Sequence, residues 1–196
     1  MNASSESPAK LVRARIRESI AVKRSLLKQA AKIAEIAGVI TRAYREGGKV
    51  ILMGNGGSAA DAQHIAAELL GRFYRTRDSL PAISLSTNSS SLTAISNDFS
   101  FADVFEIQLK AYGNEGDVVI GLSTSGNSPN VVNALRAARK MGLTTVGFTG
   151  AGGRMVELSD YCVTIPSHDS ARIQESHITA AHIICELVER SLFPDK

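Results

Sequence analysis

The sequence predicts an α/β protein: a parallel sheet with helices on both faces and a helical segment ahead of it. Three observations carry that reading. After Gly48, short apolar runs alternate with segments of helical period, and strand–helix alternation gives right-handed βαβ units and a parallel sheet. The apolar runs lack polar alternation, as strands do when helices cover both faces. Hydrophobic residues make up 44% of the chain and aromatics only 5%, so the core is built from Ala, Val, Ile and Leu, which suits helix-on-sheet packing. A length of 196 residues holds one such domain with an extension.

In chain order, residues 1–8 lack a periodic pattern and are expected to form a disordered tail. Between Leu11 and Tyr44, apolar residues recur at helical spacing (Val12, Ile16, Ile20, then Leu27, Ala30, Ile33, Ala37, Ile40). This predicts one or two amphipathic helices, closed by Gly47-Gly48 as a C-cap. A helical oligomerisation segment is thus expected at 9–46 and the α/β domain at 47–196. The apolar stripe requires a partner, either the domain itself or another subunit. KVILM (49–53) is the first strand, followed by the turn GNGGS and a helix from about Ala59 to Arg72. AISLS (82–86) is the second, followed by a Ser/Thr-rich turn and helices near 89–96 and 102–112. DVVIGLS (117–123) is the third, followed by TSGNSP and a helix over Pro129–Met141. TTVGFTG (144–150) and YCVTIP (161–166) are the fourth and fifth, and a last helix covers about Ile173–Leu192.

Charge is unevenly placed. Residues 1–50 hold 11 Lys+Arg against 4 Asp+Glu, and the remainder 11 against 15. The basic residues are dispersed and no aromatic is interleaved for base stacking, so a solvated helix face is expected and not a nucleic-acid surface. Cys162 and Cys185 sit in apolar runs as buried free thiols. Without a disulfide framework or a CxxC pair, a reducing cytoplasm is expected. The N-terminus has no apolar core for a signal peptide, and no apolar run approaches the ~20 residues of a membrane span.

Two strands end in Gly/Ser/Asn turns that open helices, on the sheet edge where α/β proteins bind ligands. In STSGNSP (123–129), Ser128 is placed as an N-cap and Pro129 at the first helical position. The hydroxyls of Ser123, Thr124, Ser125 and Ser128 and the free N–H groups of the helix start make an anion cradle without a lysine. An ordinary capped turn needs fewer hydroxyls. GNGGS (54–58) resembles the same device but lacks dinucleotide-site spacing. Two such turns side by side suit one phosphorylated small molecule.

His64 and Glu68, four residues apart on a helix, point the same way. They face the ligand pocket, the next subunit, or simply solvent. The last helix carries Gln174, Glu175, His177 and His182. His182 lies among Ala180, Ala181, Ile183 and Ile184, where it is either a satisfied core residue or a metal or proton-transfer group. His, Glu, Gln and His suit a borderline divalent metal such as zinc, although Gln is an uncommon ligand. Asn97-Asp98 closes a helix, either as a cap or as a contact for sugar hydroxyls.

Together GNGGSAADAQHIAAEL, TAISNDF, GDVVIGLSTSGNSPNV and RIQESHITAAH resemble the sugar isomerase (SIS) domain of the phosphoheptose isomerases, in family order over about Val12–Leu192. The resemblance implies a three-layer αβα, flavodoxin-like fold with a five-stranded parallel sheet. It also implies a cytoplasmic homotetramer with sites between subunits. The implied reaction converts sedoheptulose 7-phosphate to D-glycero-D-manno-heptose 7-phosphate, the first step towards ADP-heptose and the lipopolysaccharide core. By matching position, Asn55, Gly56, Gly57, Glu68, Asn97, Asp98, Ser123, Thr124, Ser125, Ser128 and Gln174 contact substrate. His64, Glu68, Gln174 and His182 bind one zinc per subunit, and Glu68 and His182 form the acid–base pair. A related branch binds the bacterial replication initiator and is similar to this chain in IPSHDSARIQESH and SLFP. In that branch the positions matching Glu68 and His182 are replaced; here both are present, which favours the enzyme. A regulatory SIS module sensing a sugar phosphate is a third expectation, less favoured because no DNA-binding domain is attached.

Overall fold

A computed structural model describes residues 7–194. The expected tail at 1–8 lies outside those residues up to position 6; Ser7 precedes helix α1 (Pro8–Lys23), which opens on Pro8. A 3-10 segment, Arg24–Gln29, leads into α2 (Ala30–Arg45). The glycines end α2 as expected: Gly47 has φ of 84°, Gly47 N–H reaches the Tyr44 carbonyl and Gly48 N–H the Ala43 carbonyl. That is the Schellman arrangement, which places glycine where a Cβ is disfavoured.

The strands are β1 (Val50–Gly54), β2 (Ala82–Ser84), β3 (Val118–Ser123), β4 (Thr144–Thr149) and β5 (Tyr161–Thr164), all parallel in the order β2-β1-β3-β4-β5. The helices between them are α3 (Gly57–Leu70), α4 (Ser89–Asp98), α5 (Val104–Tyr112), α6 (Pro129–Lys140), α7 (Met155–Leu158) and α8 (Ser170–Leu192). This is the flavodoxin-like order. Helix α3 begins two residues before the sequence-based boundary and α8 three before, because each takes up its turn as the first helical residues. The short α7 was not expected; four residues carry too little periodicity to register.

Strand pleating sorts the core into two layers. Val50, Leu52, Ile120 and Phe148 face α2, α3 and α8, while Ile51, Met53 and Val119 face α5 and α6. Helix α2 therefore belongs to the domain's core, through Ile33, Ile36 and Ile40. Helix α1 does not: it has no buried residue, and Leu11, Val12, Ile16 and Ile20 are 45–57% exposed. Both cysteines are buried and free. Among the described residues no helix is long and apolar enough to cross a membrane.

Candidate active site

The strand order reverses between β1 and β3, and the loops that follow these two strands meet there. Asn55 and Asn130 exchange two side-chain hydrogen bonds, each 2.9 Å, across 75 positions of sequence. Asn130 is 2% exposed, and its Oδ1 also accepts the Val131 N–H at 3.0 Å. Gly56 turns the first loop at φ 54°, ψ −122°, a conformation that a side chain opposes. At Gly57 a Cβ would lie 2.5 Å from the Gln174 carboxamide nitrogen. Glycine at 57 thus lets α8 bring Gln174 onto the start of α3.

The second loop gathers hydroxyls. Ser123, 3% exposed at the end of β3, is 2.8 Å from the Ser128 hydroxyl and 3.3 Å from that of Ser125. Ser128 occupies the N-cap position of α6, with Pro129 after it, but its hydroxyl makes no capping bond and turns to Ser123 instead. The capping expected for that side chain is therefore absent, and its oxygen remains with the cluster. Gly126 (φ 65°) and Gly153 (φ 109°) let this loop lie against the loop after β4: a Cβ on Gly126 would meet the Gly152 carbonyl at 2.1 Å. Thr124 faces the β5–α8 loop, 3.4 Å from the Ser170 hydroxyl. Between these loops opens a cleft of about 480 Å³, with Thr124, Ser125, Gly152, His168 and Ser170 on its walls.

Further along α3, His64 Nε2 is 3.0 Å from Glu68 Oε1, and His182 Nε2 of α8 is 3.2 Å from His64 Nε2. The three donor atoms lie within 4.8 Å of one another, close enough to hold one metal ion. Burial lowers the His182 pKa, the His64 ring adds to this, and Glu68 opposes it. These effects together favour the neutral imidazole over the charged one. His177, by contrast, is a core histidine. It is fully buried, its Nε2–H donates to the Thr149 carbonyl at 3.0 Å, and burial pushes its pKa down to about 4. Glu175 pairs with Arg172.

The structure thus brings Asn55, Gly56, Gly57 and Gln174 together at one loop. It groups Ser123, Ser125 and Ser128 at the next, with Thr124 beside them, and joins His64, Glu68 and His182 in one cluster. Asn97 and Asp98 end α4 at the exposed surface, where the Asn97 amide donates to Asp98. Three residues escaped the sequence reading. Asn130 follows SP in an unremarkable helix start. His168 is an isolated histidine in a loop. Asp61 lies one turn before His64; burial raises its pKa, and its Oδ2 is buried without a hydrogen-bond partner. Helical spacing from His64 was the available signal for Asp61.

Comparison with known proteins gives the family. Residues 16–150 match the family model described as SIS domain. A phosphoheptose isomerase from Roseiflexus sp. (strain RS-1) is 55% identical over the full length of both chains. One from Aneurinibacillus thermoaerophilus is 49% identical over 94% of this chain and 96% of its own. The solved structure of a phosphoheptose isomerase from Neisseria gonorrhoeae superposes with a TM-score of 0.87 at 39% identity, covering 92% of this chain and 98% of that one. With a family model over more than half its length and relatives of this identity along all of it, the chain belongs to the SIS-domain phosphoheptose isomerases.

Proposed function

We propose that this protein is an isomerase that converts sedoheptulose 7-phosphate to D-glycero-D-manno-heptose 7-phosphate. The observation that carries the reading is the convergence of Glu68 and His182, from separate helices, in one cluster, in a chain that also gathers serine hydroxyls at the end of β3. The phosphate sits among Ser123, Thr124, Ser125, Ser128 and the α6 N-terminus, where free N–H groups and hydroxyls receive an anion, with C1 and C2 directed to the cluster. The full-length relatives carry the isomerase name, which favours the enzyme over a docking protein for the replication initiator.

In turnover Glu68 and His182 act when they do not ligate a metal: Glu68 removes the proton from C1 of the ketose while the His182 N–H delivers one to the O2 oxygen, giving a cis-enediol. The proton returned to C2 and the loss of the O1 proton complete the aldose. Asn97 and Asp98 contact the middle hydroxyls, and Gln174 and Asn55 contact the sugar chain near Gly57. The donor set fits zinc. A tetrahedral ion with bonds of about 2.0–2.1 Å has ligand–ligand edges of about 3.3 Å, close to the 3.0 and 3.2 Å separations seen here. Two imidazole nitrogens and a carboxylate oxygen suit that metal, with Gln174 or a substrate oxygen left for the fourth position. When bound, zinc supplies Lewis-acid polarisation of a substrate oxygen.

The protein works in the cytoplasm as a homotetramer. The bare apolar stripe of α1 serves its assembly, while α2 packs into the core of the SIS domain formed with 47–196. The test is direct. Purified protein with sedoheptulose 7-phosphate in deuterated water is expected to form the aldose with solvent deuterium at C2. Absence of both product and exchange, with and without zinc, would refute the assignment.

A further inference from the structure

The segment between α3 and β2, residues 71–81, is tied down by a buried ion pair that the reaction above does not use. Glu189 lies on α8 and Arg77 on the segment, with side chains 2% and 1% exposed. Arg77 Nε donates to Glu189 Oε1 at 3.0 Å. The carboxylate also accepts three consecutive backbone N–H groups, from Phe73 (3.1 Å), Tyr74 (2.8 Å) and Arg75 (3.0 Å). The other side of the guanidinium faces the end of α3. Nη2 donates to the Glu68 carbonyl at 2.9 Å, and Nη1 to those of Leu69 at 2.9 Å and Gly71 at 3.2 Å. Carbonyls in the last turn of a helix lack intrahelical partners. Gly71 is not in the left-handed conformation that would satisfy them (φ −85°), so Arg77 supplies the cap.

A buried ion pair is weak evidence for stability, because desolvation offsets much of the Coulomb attraction. What this pair does have is position. One partner holds the main chain of Glu68, whose carboxylate belongs to the His64–Glu68–His182 cluster. The other stands seven residues, about two turns, after His182 on the same side of α8. Phe73, whose N–H bonds Glu189, sets its ring 5.6 Å from the His182 imidazole. We propose that Arg77 and Glu189 are positioning residues that lock α3 to α8 and thereby hold Glu68 and His182 at metal-binding separation. The proposal rests on the metal-site reading above.

Arg77→Lys keeps a cation opposite Glu189 but loses the planar fork that reaches the α3 carbonyls. Zinc affinity is measured by competition with a chromophoric chelator, and ligand geometry by the visible spectrum of the cobalt-substituted protein. Wild type is expected to bind one ion per chain. Arg77→Lys is expected to bind zinc about 10- to 100-fold more weakly, as outer-shell changes do, with an altered cobalt spectrum. Its kcat should fall while KM for the sugar phosphate stays within about twofold, since the serine loop is untouched. A second measurement needs no variant: coupling is reciprocal, so zinc should slow amide exchange at Phe73, Tyr74 and Arg75 in wild type. A folded Arg77→Lys protein with unchanged zinc affinity and cobalt spectrum, or wild-type exchange indifferent to zinc, overturns the proposal. Failure of wild type to bind zinc defeats the metal reading itself and is seen separately.

Discussion

Asn130→Ala tests whether the loops after β1 and β3 act as one binding unit. The substitution keeps a good helix former at the start of α6 but deletes three hydrogen bonds: two with Asn55 and one from Val131 N–H. At a net 0.5–1.5 kcal/mol each, the sum is about 1.5–4.5 kcal/mol. Asn55 is only half-buried and recovers part of its share from water, so a loss of about 2–3 kcal/mol is expected. Denaturant unfolding of wild type, Asn55→Ala, Asn130→Ala and the double variant gives the pairwise part. A coupling of about 1–2 kcal/mol is expected for residues in direct contact. The same four proteins, assayed against the sugar phosphate, should show KM rising about tenfold in either single variant, equivalent to ~1.4 kcal/mol. The double variant should show little further rise. Coupling below about 0.5 kcal/mol, or KM unchanged in both single variants, would mean that the loops are not held to each other for binding.

Glu68→Gln should lower kcat by about 10²–10⁴, the range for a lost acid–base group, while substrate still binds by calorimetry; undiminished turnover would remove Glu68 from proton transfer. Ser123→Ala/Ser125→Ala should raise KM by weakening charge-assisted contacts to the phosphate, and an unchanged KM would place the phosphate elsewhere. Ile16→Asp/Ile20→Asp puts two charges into the bare stripe of α1 and should split the proposed tetramer in sedimentation velocity; a tetramer that stays intact would show that α1 is not at its interface. His177 gives a pH signature. Its folded pKa of about 4 lies below the ordinary 6.5, so the unfolded chain binds the extra proton. The stability it contributes is complete above pH 6.5 and lost as pH falls towards 4, about 3 kcal/mol in all. His177→Gln should flatten the unfolding free energy over that window, and an unaltered slope would contradict the assignment.

The readable part of the site came from residues that act close to where they stand in the chain. STSGNSP announces a hydroxyl-lined helix start, and His64 with Glu68 shares a helix face by spacing alone. The less readable part lies in pairs distant in sequence. Asn130 looks like any helix residue until Asn55 is found opposite it. His177 and His182 sit in one run of similar composition. Only the rotation of α8 against β4 buries the first on a carbonyl and turns the second to His64. Ser128 occupies its expected position, but its hydroxyl pairs with Ser123 at the end of β3 and not with a helix N–H group.

Local periodicity and turn chemistry act over a few residues, so the amino-acid order alone determined the strands, the helices longer than α7, the glycine turns and the sheet edge on which those turns lie. Which helices lie side by side depends on how the two faces of the sheet are filled, and that is a property of the whole core. The meeting of α3 with α8 was decided at that level, and with it the His64–Glu68–His182 cluster, the capping of α3 by Arg77, and the exposure of α1.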